Sequence, residues 1–120
     1  MRIFKNTWFN RFADKAGIED SELREAVNQL EKGQADADLG GDVYKMRIAR
    51  SGGGKSGGHR VIVFFRNKER TFFAYGFTKS NQSNIDRKEL KEYKALAKKY
   101  FVLSDEIIEK AKKLGKFIEI

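Results

Sequence analysis

The chain has 120 residues, of which 40% are hydrophobic and 35% charged, with no cysteine and a formal net charge of +8. That length suits one domain, the missing thiols exclude a disulfide framework and a thiolate metal site, and no apolar run is long enough to cross a bilayer. Met1 is not followed by an apolar signal segment, so the expected location is the cytoplasm.

In chain order, residues 2–5 form a short strand. Trp8, Phe9, Phe12, Ala13 and Ala16 recur at helical spacing over residues 6–16, and Gly17 stops that helix. Asp20 or Ser21 caps a second helix with the stripe Leu23, Ala26, Val27 and Leu30, ending at Gly33. Residues 35–41 read as a connection. Residues 43–50, 60–66 and 70–77 are rich in β-branched and aromatic side chains and are joined by short links, which predicts an antiparallel meander. Asp86 followed by Glu89 resembles a capping box, opening a helix with the apolar set Leu90, Tyr93, Leu96, Ala97 and Tyr100. A last helix runs from Ser104 to Leu114, and residues 116–120 are a closing strand or a frayed end. The expected fold is α+β: an antiparallel sheet with two N-terminal helices packed on it, and C-terminal helices.

Charge is segregated along this order. Residues 1–39, 40–85 and 86–120 carry −2, +7 and +3. Between residues 43 and 68 stand Lys45, Arg47, Arg50, Lys55, Arg60, Arg66 and Lys68 with no Asp or Glu, around the Gly-rich run at 51–58. A solvated surface kept for solubility normally mixes both signs, as residues 86–120 do, so the central excess points to a polyanionic partner. Strand parity sends Tyr44, Met46 and Ile48 to one face and Lys45 and Arg47 to the other. Arg60 stands at the mouth of the next strand, beside Lys55. Phe73, Tyr75 and Phe77 are expected to share a face, with Lys79 continuing that parity.

Other chemistries fit poorly. The run 49–56 has the Gly-Lys-Ser of a phosphate-binding loop, but that pattern needs Gly where Ala49 stands and a helix where Gly57 and Gly58 lie. His59, the single histidine, excludes a His-pair metal site. It reads as a strand-opening residue lying over phosphate or as a proton-transfer group. The acids fall mostly in helices, away from any paired-carboxylate magnesium site. Neither a metal nor a cofactor is expected.

With Tyr44 to Ile48, then Gly54, Lys55, Ser56, Gly57, Gly58, His59 and Arg60, then Tyr75 to Ser80, the chain resembles the RelE/ParE superfamily of bacterial toxins, and within it the HigB-like RelE branch. The likeness covers roughly residues 1–97 of the single domain and leaves 104–120 as an extension. It implies a ribosome-dependent, metal-independent endoribonuclease that cuts mRNA, with a cognate antitoxin of helix-turn-helix type as its partner. By resemblance, Lys45, Arg47, Arg60 and Lys79 are the catalytic cations and His59 a further candidate, while Arg50, Lys55, Ser56, Gly57, Gly58 and Arg66 bind RNA phosphate. The tyrosine that follows the last basic residue in some members has no counterpart in residues 80–85. His59, Lys45, Lys79 or an incoming ribosomal group could then serve as general base.

These residue types suit the chemistry. When a 2′-hydroxyl attacks the adjacent phosphorus, the site must remove one proton, hold a dianionic phosphorane and protonate the departing 5′-oxygen. Arginines bind phosphoryl oxygens in bidentate fashion. A ParE-like gyrase inhibitor or a plain nucleic-acid-binding module would use the same charge without cleavage.

Overall fold

The computed structural model describes residues 1–48, 58–78, 82 and 84–120. β1 (Arg2–Asn6) runs straight into a helix because Asn6 folds its side chain back: the Phe9 amide donates to Asn6 Oδ1 at 2.8 Å and so caps α1 (Thr7–Ala16). Gly17, at φ +71°, adopts the left-handed conformation that ends the helix. α2 (Asp20–Glu31) is capped by Glu19, not by Asp20 or Ser21. The Glu19 amide donates to the Glu22 carboxylate at 3.0 Å, and the Asp20 carboxylate is occupied by the ammonium of buried Lys5, also 3.0 Å away.

The expected connection at 35–41 contains a strand, β2 (Ala37–Gly40). Its sequence has no strand pattern; it forms because β3 (Val43–Ile48) offers an edge, to which Asp36 N also donates through Lys45 O at 3.1 Å. β4 (His59–Arg66) and β5 (Arg70–Thr78) complete the meander. The sheet order is β2-β3-β4-β5-β1-β6, with β1 parallel to β5 and β6 (Phe117–Glu119) antiparallel to β1. The sheet is therefore mixed, not wholly antiparallel, since the two helices carry the chain from β1 to β2 at the far edge and the meander brings β5 back beside β1 in the same direction.

α1 and α2 cover one face through Phe9, Ala13, Leu23 and Val27 against Met46, Val61, Val63 and Phe73. On the other face lie α3 (Arg87–Phe101), opened by the Asp86/Glu89 capping box, and α4 (Asp105–Lys113), capped by Ser104. Central strand β4 is buried on both faces, which explains its unbroken apolar run. Residues 104–120 are no appendage: Ile108 is fully buried, Phe117 packs tilted or edge-on among Phe4, Phe72 and Tyr100, and Ile120 N donates to Ile3 O at 3.0 Å.

The register between β4 and β5 slips between Ile62 and Val63, which pair with Tyr75 and Phe73. Ala74 is the extra residue of this bulge. As a result Phe73 joins the α1/α2 layer while Tyr75 and Phe77 join the α3/α4 layer, so the expected single row of three aromatics is split.

An ion network closes the end of the sheet away from His59 and Thr78. Arg2 binds Glu119 and Glu109, each at 2.9 Å, Lys112 binds Glu119 at 2.8 Å, and Arg70 binds Asp105 at 2.8 Å. Hydrogen bonding from Arg2 lowers the Glu119 carboxyl from its ordinary 4.5 to about 2. A depressed carboxyl stabilises the fold above its unfolded value and loses that contribution as pH falls through the folded one. Glu119→Gln should therefore cost about 1–2 kcal/mol at neutral pH, allowing for solvent screening of a partly exposed pair. The difference from the parent should shrink from pH 4.5 downward and vanish only below pH 2. Urea titrations across that range check it.

Candidate functional site

Antiparallel pairing places Arg47 opposite Arg60 and Arg60 opposite Phe77; one rung further along, Lys45 faces Ile62 and Ile62 faces Tyr75. Residues directly opposite share a face with Cβ atoms about 5 Å apart, so Lys45, Arg47 and Arg60 gather on the α3 face of the sheet. Among the described residues these three form no ion pair, and the one side-chain hydrogen bond among them runs from Lys45 Nζ to Asn84 Oδ1 at 3.4 Å. Arg47 is exposed and Arg60 half-buried, with its Nη1 fully enclosed and without a hydrogen-bond partner. Two arginines directly cross-strand repel, and a buried N–H without an acceptor typically costs about 1–3 kcal/mol. Both penalties disappear when a dianion sits between the guanidinium groups.

A polar chain borders the cations. The Tyr75 hydroxyl donates to Gln82 Oε1 at 3.0 Å, and Gln82 Nε2 donates to Asn84 O at 2.8 Å. Burial, reinforced by the Glu89 carboxylate, raises the Tyr75 phenol above its ordinary value, so it stays protonated and can act as a donor. Burial raises the neighbouring Tyr93 phenol too. Sequence reasoning missed Gln82 and Asn84, which sit in a polar stretch without periodicity. It read Tyr75 only as one of an aromatic row.

The structure does not bring every expected residue here. His59 pairs with Ile48 and Thr78, so its ring points to the opposite face, where it is 5% exposed and meets Phe12 edge-on at 5.6 Å. It belongs to the α1 layer and not to the cation cluster. Arg66 is at the other end of β4, about 20 Å along the strand. It binds Asp42 at 2.9 Å and lies 4.4 Å from the centre of the Phe101 ring. Its guanidinium is thus paired within the fold and stands apart from the cation cluster. Gly58 is buried at the start of β4. Arg50, Lys55, Ser56, Gly57 and Lys79 lie outside the described residues.

A cavity of about 450 Å³ lies elsewhere, between α2 and the edge of β3 beyond the end of β2, and is lined by Glu22, Glu25 and Asp36 among others. Its acids suit no anion. Arg47 is the member of the cation cluster that borders it.

Comparison with curated proteins gives no significant match. A family model described as the RelE toxin of the RelE/RelB toxin-antitoxin system matches residues 1–120, including the segment 104–120 that the sequence resemblance left out. Membership of such a system implies an antitoxin partner. From β1 to the closing strand β6, then, the chain belongs to the RelE toxin family and is the toxin of a toxin-antitoxin system.

Proposed function

We propose that this toxin is a ribosome-dependent, metal-independent endoribonuclease of the HigB-like branch that cuts mRNA and thereby stops translation. One observation carries the reading: among the described residues, Lys45, Arg47 and Arg60 share one sheet face without a carboxylate partner, and Arg60 Nη1 is buried without an acceptor. A bound phosphodiester supplies the missing acceptor.

In this reading Arg47 and Arg60 grip the non-bridging oxygens of the scissile phosphate and hold them more tightly as the second negative charge develops. Lys45, held by Asn84 one rung away, adds a third cation against the developing charge, and the proton of the attacking 2′-hydroxyl passes to an incoming ribosomal group. The Tyr75 phenol, kept neutral by its surroundings, is a source of the proton that the departing 5′-oxygen needs. Lys79 adds a cation from the segment following β5. The products are a 2′,3′-cyclic phosphate and a 5′-hydroxyl. The antitoxin, of helix-turn-helix type, silences the site by covering it.

Purified protein added to a programmed cell-free translation reaction should produce cuts within the ribosomal A site, mapped by primer extension. Lys45→Gln should reduce the cutting rate by about two orders of magnitude. Uncut mRNA together with inhibited gyrase supercoiling would replace this reading with the ParE-like one.

A further inference from the structure

α3 carries six cations that the proposed cleavage chemistry does not use, and four of them fall in one row. Arg87, Lys91, Lys94 and Lys98 stand at i, i+4, i+7 and i+11, which aligns them in one straight stripe about 16 Å long. All four are exposed, and none takes part in the ion pairs among the described residues. The helix does have acids, but at other azimuths: Glu89 is held by the Asp86 amide at 3.1 Å, and Glu92 lies on the far side of the stripe. A helix surface kept for solubility would set Glu against Lys four residues apart along the same row. Here the row is unbroken positive charge.

Its placement is fixed by packing. The Lys94 side chain lies across the β2–β3 turn, where a Cβ on Gly40 would come 3.2 Å from its Nζ and one on Gly41 3.1 Å from its Cγ. The stripe therefore borders the β2–β3 edge of the sheet. At its N-terminal end Arg87 is three residues from Asn84, the partner of Lys45. The stripe begins at the cleavage site and leads away from it.

We propose that Arg87, Lys91, Lys94 and Lys98 form a second, non-catalytic track that binds the sugar–phosphate backbone of an RNA strand running out of the site. Successive cations of the row stand about 4.5–6 Å apart along the helix axis, so that each can meet a phosphate of its own on a single strand. Evenly spaced point charges without aromatic or apolar companions recognise a backbone and not bases. A lipid surface is a poorer match, because the apolar face of α3, with Leu90, Tyr93 and Ala97, is already packed on the sheet. The direction of the strand rests on the cleavage reading; the existence of the track does not.

The test is the salt dependence of binding to a short, unstructured 2′-O-methyl oligoribonucleotide, which cannot be cut. Each phosphate that a cation neutralises on a single strand adds about 0.7 to the slope of log affinity against log salt. In the triple variant Lys91→Gln, Lys94→Gln, Lys98→Gln that slope should therefore flatten by about 2. Helicity and Tm should match the parent, since Gln keeps the helix propensity of Lys. Replacing the same three residues with Arg should preserve the slope. An unchanged slope in the Gln variant overturns the track, and so does loss of binding to phosphatidylserine vesicles without loss of RNA binding. The cleavage reading fails separately: parent protein that leaves ribosome-bound mRNA intact, while the Gln variant still shows the flattened slope, removes the nuclease and keeps the track.

Discussion

Replacing Arg60 with alanine should slow ribosome-dependent mRNA cleavage by about two to three orders of magnitude, the usual cost of removing one donor from a developing oxyanion. The same substitution should not weaken the fold. Arg60 faces Arg47 across the β3–β4 pair, and its Nη1 is buried without an acceptor, so the native site bears both like-charge repulsion and an unsatisfied donor. Removing the guanidinium relieves both. Against this stands the small void an alanine leaves, which Arg60→Met avoids by keeping the aliphatic stem. The methionine variant should melt at or above the parent temperature, retain antitoxin binding and fail to cut. Primer extension on ribosome-bound message and a thermal melt read the two halves independently. A variant that cuts at the parental rate would remove Arg60 from the phosphate clamp; one that melts well below the parent would show that the repulsion is compensated within the fold.

Gly76 is the position at which a single methyl group should do most harm to the fold. It lies on the α1 side of β5, opposite Val61, and a Cβ there would fall 2.2 Å from Phe12 Cε2 and 2.6 Å from Cδ2. Phe12 has little freedom to withdraw, since it is packed against Trp8, Phe9 and His59. Gly76→Ala should cost about 3 kcal/mol, the upper range of overpacking in a filled core, and lower Tm by about 10 °C or more. Truncating the clashing ring tests the cause. In a double-mutant cycle, Phe12→Ala combined with Gly76→Ala should be several tenths to a few kcal/mol more stable than the sum of the two single changes. Strict additivity would show that Gly76 is needed for some reason other than the contact with Phe12.

The capping signals and the strand parity were open to reading in the residues themselves. Gly17, the Asp86/Glu89 box and the Ser104 cap act within one helical turn, so local chemistry alone determines where those helices start or stop. The alternation in residues 43–48 likewise put Lys45 and Arg47 on one face and Met46 and Ile48 on the other. The stripe on α3 was equally present in the spacing of Arg87, Lys91, Lys94 and Lys98, although only the contact of Lys94 with the Gly40–Gly41 turn says which way it faces. What tertiary structure decided was everything that depends on register. The bulge at Ala74 moves Tyr75 and Phe77 away from Phe73, and a shift of one residue exchanges the two layers of the protein. The same pairing sends His59 to the α1 layer although its sequence neighbour Arg60 faces α3. Arg66 looked like one more free cation until the fold brought Asp42 and Phe101 against it. Composition and spacing thus determined the charge and the local elements, because those follow from neighbouring residues. Which charges stay unpaired on a common face follows from contacts between distant ones, and only the folded sheet makes them.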